Sequence, residues 1–409
     1  MSVHLVTSPL RFHPLSFLDE GDEVVVGRAD VDSYGVFPRD GVALLEELRS
    51  GRTVGEAAVW YEESYGRPVD IDGFVATLGQ LGFTRDAATA GDHAEPEAPP
   101  PPPVRWQRLG RALFSAPAWL CFAALIAAAV AVCLVDPRFV PRPENVFFVE
   151  YLIVVELTIF LGQLPLSLLH ELFHVLAGRR LGVRSRVRLA QRLHFVVFET
   201  ALDGLVLVPR GQRYLPMLAG LLADVVIMAV LTLAAYLMRG PDGDLPLAGG
   251  VCLALAFTTL PRIAWQFYFF LRTDVYYLVT TVLECVDLQT TTRELLQNRV
   301  NALLGRRGRL VDPDRWHPRD RRVARWYAPL YVAGYAVSIG MLLVVVLPLA
   351  WQFFSSALGR VFLDQAVTPT HFWDSALLLT LTVLQLALAG WLALRDVRRR
   401  ISGAERGLA

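Results

Sequence analysis

The sequence predicts a mainly α-helical, polytopic membrane protein with about six transmembrane helices and a small N-terminal winged-helix-like α/β domain. Three observations lead there. Apolar runs near the ~20 residues that cross hydrocarbon recur through the chain beyond residue 104. Hydrophobic residues make up 54% of the 409 and the mean hydropathy is +0.41, too apolar for a wholly soluble chain. Arginines crowd alternate loops between those runs, the bias that orients membrane helices.

Residues 1–85 read as one small module. "DEVVVGRADVDSYGVFP" carries the short β-branched and aromatic runs of a hairpin or three-stranded sheet. "DGVALLEELRSG" follows as a helix, with Asp40 placed to cap it and Gly51 to stop it. "TVGEAAVWYEESYG" opens on Thr53 with Glu56 three residues later, the capping-box spacing. "DIDGFVATLGQLGF" supplies a third helix, with Phe74, Leu78 and Leu81 on one face. Over 86–104, "DAATAGDHAEPEAPPPPPV" breaks every periodicity, and its proline run predicts an extended tether.

Residues 105–409 are the expected membrane domain. Its apolar runs fall at 113–135, 147–178, 214–238, 247–271, 328–354 and 372–394. Arg105, Arg108 and Arg111 precede the first run, Arg179, Arg180, Arg184, Arg186, Arg188 and Arg192 follow the second, Arg293 to Arg325 crowd the loop before the fifth, and Arg398, Arg399 and Arg400 follow the sixth. The other loops, "DPRFVPRPEN", "RGPDGD" and "SSALGRVFLDQAVTPTH", are poor in arginine, so both termini should be cytoplasmic. The start, "MSVHLVTSPLRFHPLSF", lacks the basic flank and apolar run of a signal peptide. Acidic and basic residues balance at 39 each, but residues 1–95 are rich in Asp and Glu and the rest is correspondingly basic. The absence of lysine and the abundance of Ala, Gly, Val and Leu point to a GC-rich bacterial genome, and the expected location is the bacterial cytoplasmic membrane. The basic loop 298–327 is expected to lie on anionic lipid. Cys121, Cys133, Cys252 and Cys285 show no CxxC spacing and read as apolar fillers.

One apolar run contains "LLHELFHVL", residues 168–176. Ionisable groups in hydrocarbon are costly unless something compensates them. His170 and His174 stand one helical turn apart on one face, so both imidazoles can hold one Zn²⁺, with Glu171 near enough to act as general base. The alternative is a structural His/Glu cluster without metal. A catalytic zinc takes three protein ligands and keeps a position open, so a third ligand should lie at matching depth on another span. Asp274 in "FYFFLRTDVYYL" meets that demand, and Asp203 in "ETALDGLVLVP" is the competitor. Glu156, Asp224 and Arg262 also fall inside spans, where Arg262 could pair with Asp224 or Glu156 as structural glue.

"HELFHVLAGRRLGV" resembles the motif helix of the site-2 protease family of intramembrane zinc peptidases, and "FFLRTDVYYLV" resembles the Asn-Pro…Asp-Gly segment of its peptide-metallopeptidase branch. "VPRGQRYLPMLAGLLAD" is similar to the span after that family's membrane-surface hairpin, with Asp224 where asparagine is usual. The resemblance implies Zn²⁺ held by His170, His174 and Asp274, and water activated by Glu171. The family's Asn-Pro falls on Tyr268 and Phe269 and its glycine on Val275. Tyr268 and Phe269 are therefore candidate substrate contacts. So is His194, in the β-prone "RVRLAQRLHFVVFET", which reads as an interfacial polar residue rather than a ligand. The stretch "EVVVGRADVDSYGVFPRDGVALLEELRSGRTVGEAA" resembles PqqD-like recognition domains of peptide natural-product pathways, which capture a leader peptide as an added strand. A winged-helix DNA-binding role is disfavoured, because an acidic surface repels phosphate.

Three functions follow. The first is a membrane zinc endopeptidase cleaving a peptide or precursor delivered by the N-terminal module. The second is a non-catalytic zinc-binding membrane partner for peptide export, maturation or immunity. The third is a regulatory protease of transmembrane signalling proteins, disfavoured because no PDZ-like or CBS-like insertion is apparent.

Overall fold

The computed structural model describes residues 9–28, 31, 33–85, 104–192, 195–362 and 368–406. The tether expected over 86–104 lies outside them except for its last residue. The chain forms two compact units, one of residues 1–114, 175–186 and 200–216 and the other of 115–174, 187–199 and 217–409.

The first unit contains an antiparallel sheet of β1 (Ser16–Glu20), β2 (Glu23–Arg28) and β3 (Ser33–Pro38), in that order, followed by α1 (Arg39–Arg49), α2 (Val54–Tyr65) and α3 (Ile71–Gln80). Val24 and Val26 of β2 join Leu44, Leu45, Leu48, Ala57 and Leu78 in one core. Side chains alternate along a strand, so Val25 points the other way, yet it is only 2% exposed. β1 and β2 also pack against the 3₁₀ turn Leu205–Leu207. A strand covered on both faces is apolar without alternation, which explains "EVVVGR". Glu20, at the end of β1, accepts hydrogen bonds from Arg210 and Arg213.

Thr53 and Glu56 form the reciprocal capping box at the start of α2. Asp40 differs from expectation: Pro38 is the N-cap residue of α1 and Asp40 lies inside the first turn. Its carboxylate instead accepts from Tyr61 Oη at 2.6 Å, from Arg67 and from the Gly41 N–H. The hydrogen bond from Tyr61 holds the Asp40 carboxyl below the usual carboxylate range, against the opposing effect of burial and with help from Arg67 and Gly41. The first unit also includes α4 (Gln107–Leu113), where a Cβ on Gly110 would collide with the Leu176 carbonyl.

Among the described residues beyond α4, the regular elements are helices and one two-stranded hairpin. In order come α5 (Ala116–Val135), α6 (Leu152–Arg180), the hairpin of β4 (Arg184–Arg192) and β5 (Phe195–Asp203), α7 (Arg210–Leu237) and α8 (Leu247–Gln266). They are followed by α9 (Asp274–Val282), α10 (Leu288–Leu303), α11 (Pro318–Met341), α12 (Leu347–Phe362) and α13 (Pro369–Arg406). Among the described residues, five helical segments are long and apolar enough to cross a membrane: Ala116–Val135, Leu152–Arg180, Arg210–Leu237, Leu247–Gln266 and Pro318–Val344. The expected fifth run, 328–354, is not one α-helix, because a π-helical turn at Leu342–Val346 separates α11 from α12. The expected sixth run, 372–394, lies within α13, part of whose side chains lie outside the described residues.

Two buried aspartates tie distant elements together. Asp320 of α11 accepts the backbone N–H groups of Val286 and Asp287 at 3.0 and 2.8 Å, ahead of α10. Asp374 of α13 accepts those of Leu152 and Ile153 at 3.2 and 2.9 Å. The first N–H groups of a helix have no intrahelical partner, so Asp374 caps α6 from the far end of the chain, where a negative charge also suits the helix dipole.

Asp374→Ala is expected to lower the thermal stability of the detergent-solubilised protein by about 1–3 kcal/mol, with Asp374→Asn losing less. Asp40 has a depressed folded-state pKa, so its stabilisation is present above the ordinary value of about 3.9 and is lost as pH falls through the lower folded value. Hydrogen exchange of the α1 amides should accelerate across that acidic window in the wild type, and Asp40→Asn should flatten the dependence.

Candidate metal centre

The paired histidines lie on the buried end of α6. Leu168 and Leu169 are 46% and 37% exposed, whereas His170, Glu171 and His174 are 5%, 8% and 5%. The motif therefore begins where the helix turns from an outward-facing surface into protein.

Asp274 reaches the same place by a constrained turn. After α8 the chain passes through a 3₁₀ turn at Phe269–Leu271 and then Arg272, whose φ of 57° is left-handed. A non-glycine residue there costs about 1–2 kcal/mol. Thr273, fully buried, donates its hydroxyl to the Gln266 carbonyl at 2.6 Å. Asp274 is the first residue of α9, and its backbone N–H, an orphan donor of that helix, is accepted by Gln266 Oε1 at 3.2 Å. Gln266 and Thr273 thus hold the carboxylate in place, and neither carries a sequence motif that announces this task.

His170 Nε2 and His174 Nε2 are 3.3 Å apart, His174 Nε2 and Asp274 Oδ2 are 3.1 Å apart, and His170 Nε2 and Asp274 Oδ2 are 3.4 Å apart. A tetrahedral ion with bonds of about 2.0–2.1 Å separates neighbouring ligand atoms by about 3.3 Å. The three atoms therefore form a triangle of the size of one tetrahedral face. Among the described residues, these three are the group that could hold a metal ion. Two imidazole nitrogens and a carboxylate oxygen facing one another are donors of the kind that hold a divalent ion.

Space beside the nitrogens is kept by Gly220 of α7. A Cβ there would collide with the Nε2 atoms of both histidines. Glu171 Oε1 lies 4.0 Å from His170 Nε2, at the rim of the ligand triangle.

The far side of His170 is also held. Its Nδ1 lies 3.0 Å from Asp224 Oδ2, and Arg262 donates to Asp224 Oδ1 at 2.6 Å. Arg262 also donates to Gln163 Oε1 at 2.9 Å and to Ser167 Oγ at 3.1 Å, both on α6. Of the two partners considered for Arg262, the structure selects Asp224; Glu156 accepts instead from Gln385.

Tyr268 stacks on Phe270 with ring centroids 5.6 Å apart, in the turn leading to Asp274. His194 lies outside the described residues, as do the side chains of Phe269 and Asp203. The four cysteines are free, and burial, followed by the nearby Asp320 carboxylate, pushes the Cys285 thiol up to about 12, which suits an inert filler.

Comparison with protein-family models, curated proteins and solved structures gives no match.

Gly220→Ala should displace the imidazoles and destabilise the protein by about 1–3 kcal/mol, read as a lower unfolding temperature of the detergent-solubilised protein.

Proposed function

We propose that the protein is a membrane-embedded zinc metallopeptidase of the site-2 protease kind, which cleaves a peptide precursor during peptide natural-product maturation. The observation that carries this reading is the triangle of His170, His174 and Asp274 with Glu171 at its rim. The donor set, two imidazoles and a carboxylate, suits Zn²⁺, and the room left by Gly220 agrees with an ion there. A bound zinc ion would polarise a scissile carbonyl and lower the pKa of a water molecule.

The remaining steps belong to the chain itself. Glu171 takes the proton of the attacking water and delivers it to the leaving amine. Peptide bonds inside a substrate helix are shielded by their own hydrogen bonds, so the substrate must be held extended. The β4–β5 hairpin can hold it by strand addition. A cavity of about 740 Å³ bordered by α6, α12 and α13 is lined by Phe160, Gln163, Leu164, Ser167, Phe354 and Leu378, among others. Its volume is in the range of ligand sites, and Ser167 stands one helical turn before His170 on α6.

In this reading the N-terminal module is a PqqD-like, winged-helix-type domain that captures a leader peptide. β1 and β3 are the edges of its sheet; Glu20 of β1 is engaged by Arg210 and Arg213, so β3 is the edge for an added strand. Six crossings with both termini in the bacterial cytoplasm complete the proposed topology. A second reading, a zinc-binding partner without proteolysis, is favoured by Tyr268, Phe269 and Val275 standing where the peptidase family has Asn-Pro and glycine.

Glu171→Gln separates the two. Mass spectrometry of candidate precursors co-expressed with the wild type should detect a truncated product. The variant should retain its metal and lose that product by about 10²–10⁴-fold in rate. If the variant performs the protein's cellular task as well as the wild type does, the protein is a scaffold and the peptidase reading falls.

A further inference from the structure

Asp224, Arg262, Gln163 and Ser167 close a ring around the outer side of His170. It runs from α6 through Gln163 and Ser167 to Arg262 of α8, on to Asp224 of α7, and back to α6 at His170. Asp224 has no exposed surface and the Arg262 side chain is 18% exposed. A buried ion pair of this kind is weak evidence for stability, because desolvation offsets its attraction. Its placement gives it another role.

We propose that Asp224 and Arg262 are positioning residues of the metal centre, a proposal that rests on the metal reading above. Asp224 accepts a hydrogen bond from His170 Nδ1–H, which fixes the ring's tautomer and turns its Nε2 lone pair toward His174 and Asp274. A carboxylate behind a ligating histidine performs this task in metal sites generally. Arg262 keeps that carboxylate in place through the opposite oxygen, and is itself anchored one and two turns ahead of His170 on the motif helix. The charges support the assignment. The two positive charges of a divalent ion together with that of Arg262 equal the negative charges of Glu171, Asp224 and Asp274, so the occupied cluster is neutral, as a site set in a low-dielectric environment requires. Removing either partner leaves the cluster charged.

The test is a titration of the full-length, chelator-stripped protein in detergent micelles with Co²⁺. Affinity is read by competition with a chromophoric chelator, and ligand geometry from the visible absorption band of the ion. Asp224→Ala should weaken Co²⁺ binding by about 10–100-fold and alter the band. Asp224→Asn keeps an acceptor oxygen for Nδ1–H and should fall between it and the wild type. Arg262→Gln leaves a buried carboxylate without its partner, and the double variant Asp224→Asn/Arg262→Gln should bind more tightly than Arg262→Gln alone. A purely structural role would lower the unfolding temperature and leave the band unchanged. Wild-type affinity and an unchanged band in Asp224→Asn and Arg262→Gln would overturn the proposal, even if Asp224→Ala failed to fold. Failure of the wild type itself to bind Co²⁺ would overturn the metal reading and this proposal with it.

Discussion

The contact between the Asp274 carboxylate and the two imidazoles of α6 is the constraint on which the site depends. It joins residues 100 positions apart and determines where α9 must begin. The turn that delivers Asp274 needs a left-handed Arg272 and two polar anchors, Gln266 and Thr273. Local backbone strain of this kind persists where the surroundings over-determine it. α7 answers the same demand from another direction. Its Gly220 withholds a side chain where the histidine nitrogens face it, and its Asp224, one turn later, reaches the opposite edge of the His170 ring.

How much of this could be read in the amino-acid sequence follows the range of the interactions. His170 and His174 stand one helical turn apart, so their spacing alone reveals a common face, with Glu171 beside it. Asp274 was legible only through an argument about depth, because a pairing between helices leaves no periodic trace. Gln266, Thr273 and Gly220 carried no signal, since glutamine, threonine and glycine at helix ends or within apolar helices serve many ordinary purposes. The capping box at Thr53 and Glu56 was legible for the same reason as the paired histidines. Asp40 was not, because its partners Tyr61 and Arg67 arrive from the next helix and the loop beyond it.

The N-terminal sheet shows the same limit. Consecutive valines in β2 announced a strand but not why both its faces are apolar; the covering turn at Leu205–Leu207 is far away in the chain. Glu20 sits among acidic residues that read as a solvated surface, yet its side chain is 10% exposed because Arg210 and Arg213 close over it. The fifth apolar run poses a related case: 328–354 is continuous in composition, while the backbone inserts a π-helical turn within it.

The cap that Asp374 places on α6 has a bearing on biogenesis. The N–H groups of Leu152 and Ile153 precede their acceptor by 222 and 221 residues. A ribosome adding about 5–20 residues per second delivers that acceptor about 10–40 s after the start of the histidine-bearing helix has been made. Until then the N–H groups of Leu152 and Ile153 lack this carboxylate, so the cap is added only after the start of α13 has been made.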